Sequence, residues 1–75
     1  MSRNVYDVSY RMYFGAEESH LCVIAGNKAE AYDTAFYEAI PKANEGCVPY
    51  SAWVTGVTYQ NGNYRYFNTC EGLGY

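Results

Sequence analysis

VTYQNGNYRYFNTC, residues 57–70, interleaves aromatic and polar residues around an Asn-Gly pair. Asn61 and Gly62 suit the two central positions of a type I′ turn, whose backbone twist matches that of the flanking strands, so the stretch predicts a β-hairpin. A two-residue loop sets Tyr59 opposite Tyr64, Val57 opposite Tyr66 and Trp53 opposite Cys70, and directly opposed residues share a face. The other face then holds Thr58 with Arg65, Gly56 with Phe67 and Val54 with Thr69. Burying an unpaired charge costs far more than exposing a tyrosine, which turns Arg65 outward. Trp53, Val57, Tyr59, Tyr64 and Tyr66 are therefore expected in the core, and a bulge at Gly56 would reverse part of that sorting.

Upstream of the hairpin the periodicity changes twice. Residues 4–14 alternate, with Tyr6, Val8, Tyr10, Met12 and Phe14 on one face and Asp7, Ser9 and Arg11 on the other, the signature of a half-buried strand. The polar turn GAEES leads to a short β-prone run, HLCVIAG, expected to pair back as a hairpin. Asn27 followed by Glu30 has the spacing of a capping box, and Tyr32, Ala35, Phe36, Ala39 and Ile40 then draw one apolar stripe at helical spacing. Pro41 predicts an end or a kink, because it lacks a donor and restrains Ile40. The expected elements are strands near 4–14, 20–25, 48–60 and 63–70, a helix near 28–40, and a loose tail at 71–75. This is an α+β domain of ββαββ order, one helix packed on one face of a four-stranded antiparallel sheet.

Composition narrows what such a domain does. At 75 residues it is one unit with little room for a deep cleft, and 19% of it is aromatic, ten residues being Tyr. The net charge of −3 and five basic residues point away from direct nucleic-acid binding and toward a partner with a basic surface. No apolar run approaches the ~20 residues of a membrane span, so the expected setting is the cytosol. Cys22, Cys47 and Cys70 are odd in number and widely spaced, the pattern of reduced thiols rather than of a disulfide scaffold.

Catalytic patterns are missing: no phosphate-binding glycine loop, nucleophile elbow or paired catalytic carboxylates. His20 and Cys22 share a strand face, as a thiolate–imidazole pair would, but no third group orients them, and a buried inert thiol is the simpler expectation. His20, Cys22, Cys47 and Cys70 match a zinc site in number but lack its close ligand pairing. No enzyme, cofactor or metal is expected.

Two surfaces remain as binding candidates. Glu30, Asp33 and Tyr37 fall together on the helix opposite its apolar stripe, with Glu38 at their flank, and Glu17 and Glu18 add charge in the first turn. A solvated face favouring the helix dipole accounts for such residues, and so does an acidic stripe that docks on a basic groove. The second surface is the open sheet face, where Arg65 and Phe67 are expected, joined by Arg11 and Tyr13 if strands one and four are neighbours. Phe67 opposite Gly56 fits an aromatic covering a glycine as well as an interface.

In size, acidity, ββαββ order and Tyr-rich hairpin the chain resembles the small inhibitors of bacterial defence encoded by phages and mobile elements, anti-CRISPR proteins among them. The resemblance is one of style over the whole chain and assigns no residue. It implies a non-catalytic inhibitor in the bacterial host cytosol that occludes a basic, nucleic-acid-handling host protein; the acidic helix face, not the resemblance, nominates Glu30, Asp33 and Glu38 as the groups that would stand in for phosphates. The alternatives are an interaction or homodimerisation module using the open sheet face, and a single-strand binder stacking bases on sheet aromatics.

Overall fold

The structure, a computed structural model, describes residues 3–13 and 17–67. Phe14, Cys70, the far end of the last expected strand and the tail at 71–75 lie outside the described residues. Four antiparallel strands, β1 (Asn4–Arg11), β2 (Ser19–Ala25), β3 (Ser51–Thr58) and β4 (Tyr64–Tyr66), form one sheet in the order β2-β1-β3-β4. Between β2 and β3 the chain winds through α1 (Lys28–Thr34), a π-helical segment (Ala35–Ala39) and α2 (Ile40–Ala43) without a break. The expected α+β architecture, with helix on one sheet face, is the one observed.

The alternation of β1 sets the inside of the sheet. Tyr6, Val8, Tyr10 and Met12 are buried, and their cross-strand neighbours Val23, Ala52, Val54 and Val57 are buried with them. The helix lays Ala31, Ala35 and Ile40 onto this face, with Tyr32, Phe36 and Ala39 packed at the margin. Its two alanines are small, so its backbone can come close to the sheet. Fully burying a Val or Ile contributes ~1.5–3 kcal/mol, so Val8, Val54, Val57 and Ile40 carry much of the stability.

Local signals fix both ends of the helix. Asn27 Oδ1 accepts from the Glu30 backbone N–H at 2.8 Å, and Glu30 Oε1 accepts from Gly26 N–H at 2.9 Å. The side-chain return reaches one residue upstream of the cap, so this is a capping box stretched by one residue. At the other end the helix runs through Pro41 rather than stopping before it. The preceding π turn, closed by Ile40 N–H to Ala35 O, places Pro41 at the start of α2, where a missing N–H is tolerated. Asn44 Nδ2 donates to Ile40 O, Gly46 N–H donates to Pro41 O at 2.7 Å, and Glu45 takes the left-handed position at φ 57°.

The last hairpin departs from the two-residue reading. Gly62 N–H donates to Tyr59 O and Tyr59 N–H to Asn63 O, with Gly62 at φ 90°, so the loop is Gln60, Asn61 and Gly62. Three-residue loops of this kind use a turn followed by a left-handed residue, and Asn-Gly serves them as well as it serves type I′. The register consequently slips by one: Thr58 pairs with Tyr64, Val57 with Arg65 and Gly56 with Tyr66.

A bulge in β3 changes the sorting a second time. Asp7 pairs with Gly56 but Val8 pairs with Val54, leaving Thr55 over. Val54 and Val57 therefore both face the helix, while Trp53, Gly56 and Thr58 face away. Of the residues expected in the core here, only Val57 is fully buried: Tyr59, Tyr64 and Tyr66 are exposed, and Phe67, expected outside, is buried. Arg65 lies on the helix side yet remains exposed, since β4 is an edge strand that the helix does not cover, and its guanidinium sits 5.2 Å from the Phe67 ring centroid. No desolvation cost arises there, so the charge argument did not apply.

Glu45 supplies the first prediction. A side chain in the left-handed region costs about 1–2 kcal/mol, which glycine avoids at some entropic loss. Glu45→Gly is expected to stabilise the protein by about 0.5–1 kcal/mol in urea unfolding. An unchanged or lower midpoint would mean that Glu45 does not hold this conformation in solution.

Candidate functional site: the open face of the sheet

Register arranges the uncovered face in three rows. His20, Ser9 and Trp53 form the first, Cys22, Asp7, Gly56 and Tyr66 the second, and Ile24, Val5, Thr58 and Tyr64 the third. Ile24 is 61% exposed, Tyr64 54% and Tyr66 69%, so apolar and aromatic groups run along both edges of the face. Trp53 is half-buried among them.

Asp7 occupies the middle of the second row, on an inner strand. It accepts a hydrogen bond from the Cys22 thiol at 3.2 Å, and the Tyr64 ring leans toward it from β4. Tyr64 reaches it because Gly56 has no side chain: a Cβ there would lie 2.6 Å from the ring carbon bearing the hydroxyl. The expected aromatic over glycine thus exists, but the ring is Tyr64 rather than Phe67. Donation to Asp7, then desolvation and the Asp7 charge, push the Cys22 thiol above its ordinary value. Desolvation and the same negative charge raise the Tyr64 phenol. Both groups stay protonated near neutrality, and the Cys22 thiol holds its proton toward the carboxylate.

In the first row, Ser9 Oγ and His20 Nδ1 lie 2.9 Å apart, and His20 Nε2 is 3.6 Å from Glu18 Oε2. The sequence of groups is that of a hydroxyl, an imidazole and an acid, but Ser9 is 1% exposed and a nucleophile must meet its substrate. Cys22 and His20 share the face as expected, yet each takes a different partner, and Cys22 is exposed rather than buried. No group of three or more His, Cys, Asp or Glu side chains among the described residues could hold a metal.

The residues singled out from sequence are dispersed. Glu30 is occupied twice, by the Gly26 N–H and by Arg3 at 2.8 Å, and these contacts lower its carboxyl below the usual range. Asp33, Tyr37 and Glu38 stand exposed on the helix. Glu17 and Glu18 precede β2 while Glu30 follows it, ~20 Å away along a seven-residue strand, so they do not extend one stripe with Glu30. Arg11 and Tyr13 cannot join Arg65 and Phe67, because β3 separates β1 from β4. Arg11 is exposed opposite Ser51, and Tyr13 packs edge-on against Tyr50 with centroids 5.3 Å apart.

Asp7, Ile24, Trp53, Tyr64 and Tyr66 are members of the face that sequence reasoning did not place there. Asp7 was legible as an outward residue of β1, but its neighbours depend on two registers that local patterns left open. Comparison with protein families, curated proteins and solved structures finds no match to this chain.

The contact of Tyr64 with Gly56 yields a coupled prediction. Gly56→Ala is expected to destabilise the protein by about 1–3 kcal/mol through overpacking, and by much less in a Tyr64→Ala background. Equal costs in both backgrounds, measured by urea unfolding, would show that Tyr64 does not cross the glycine.

Proposed function

We propose that this protein is a non-catalytic protein-binding module whose contact surface is the open sheet face. One observation carries the reading: the helix covers one side of the sheet, while the other presents Ile24, Tyr64 and Tyr66 exposed, with Trp53 half-buried on the same face. Tyrosine and tryptophan are enriched where interfaces bury their centres, since a ring gives large contact area with few rotatable bonds. Several large exposed apolar and aromatic groups on one sheet face mark a surface suited to a partner. Net charge −3 and the central Asp7 favour a partner with a basic surface.

An inhibitor that blocks a basic, nucleic-acid-handling protein is one role for such a module. The exposed Asp33 and Glu38 side chains support a second reading, in which the outer helix face makes that contact instead. The occupied Glu30 carboxylate makes it the weaker of the two.

Capture from the lysate of the source cell, run with face-specific variants, separates them. Retention of a specific protein is expected to be lost with Ile24→Ser/Tyr66→Ser and kept with Asp33→Asn/Glu38→Gln. The reverse pattern would assign binding to the helix. A dimer in sedimentation that Tyr66→Ser dissociates would give the face to a second copy and contradict a foreign partner.

A further inference from the structure

Asp7 is a carboxylate on an inner strand that accepts from the Cys22 thiol, a neutral donor. The chain has five Lys and Arg side chains, and all five lie among the described residues. Arg3 pairs with Glu30, Lys28 and Arg65 lie over the Phe67 ring on the helix side, and Lys42 is in the last helical turn. Arg11 is the remaining one, four residues along β1 and ~13 Å from Asp7 at the backbone. His20 lines the same depression but engages Ser9 and Glu18, so among the described residues no Lys, Arg or His side chain pairs with Asp7, and its carboxylate is open to a cation from another molecule.

Space and lining suit one. A depression of about 300 Å³ opens beside the carboxylate, lined by Asp7, His20, Leu21, Cys22 and Thr55. Tyr64 leans across Gly56 toward Asp7, so one aromatic ring stands at the edge of the depression, while Tyr66 lies in the same row two strands away. A guanidinium matches this combination better than an ammonium, since its planar fork pairs with a carboxylate while its face stacks on an aromatic ring. We propose that the depression receives an arginine side chain of the partner protein, paired with Asp7 and lying against the Tyr64 ring. The inference rests on the open-face reading and names the chemistry that the face recognises.

The test is a titration of isotope-labelled protein with the capped peptide acetyl-Gly-Arg-Gly-amide at low ionic strength, followed by amide shifts. Its counterpart carries citrulline, which keeps the shape and loses the charge. Saturable shifts at Asp7, Cys22 and Gly56 are expected with arginine and not with citrulline, and Asp7→Asn is expected to weaken them about tenfold or more. Tyr64→Phe, which keeps both the carboxylate and the ring, should bind at least as well as the native chain. It also serves as the decisive variant if Asp7→Asn fails to fold. Equal shifts with both peptides, shifts confined to Glu17, Glu18, Asp33 and Glu38, or binding indifferent to Asp7→Asn would overturn the proposal. In lysate capture, a partner lost with Tyr66→Ser but kept with Asp7→Asn would remove the arginine contact and leave the face standing. A partner kept with both variants would remove both.

Discussion

Thr55 has no residue opposite it on β1: Asp7 pairs with Gly56, Val8 pairs with Val54, and the strand carries one residue too many. That surplus reverses the faces of β3 at one point. Before it, Ala52 and Val54 look toward the helix; after it, Val57 does, and both sides of the break supply the core. The same reversal delivers a glycine to the row of Asp7 on the open face, and the vacancy above that glycine is where the Tyr64 ring lies. Thr55 helps to hold the break, its hydroxyl donating to Asp7 O at 3.3 Å and its carbonyl accepting from Phe67 N–H. The core and the exposed aromatic face are consequences of one irregularity.

The helix answers a packing demand by the same means. Ala31 and Ala35 are four apart on the buried line, but the next member, Ile40, is five further on, because the π turn adds one residue. A regular helix would have carried Ile40 off that line. The turn also brings Pro41 to a helical start, where its missing donor does little harm. An extra residue in a strand and an extra residue in a helix each redirect a large side chain into the core.

Element types were legible because they depend on period and local chemistry. Alternation gave β1, the Asn27 and Glu30 spacing gave the helix start, and the stripe from Tyr32 to Ile40 gave its buried side. The open face was not legible, because it depends on registers. Asn61-Gly62 announces a turn but fits two loop lengths, and a difference of one residue exchanges Tyr64 and Tyr66 for Arg65 and Phe67. Arg65 misled the choice for a further reason: a charge at an edge strand is not under the helix even when it points to that side. Glu30 announced a cap and was also counted as a free acid, although the capping geometry and Arg3 leave it engaged.

Backbone and ring NOEs across the last hairpin test the account most directly, because register decides which residues form the open face. The structure predicts contacts linking Thr58 with Tyr64 and Gly56 with Tyr66, and the Tyr64 ring over the Gly56 α-protons. Contacts linking Tyr59 with Tyr64 and Val57 with Tyr66 would place the tyrosines beneath the helix and contradict it.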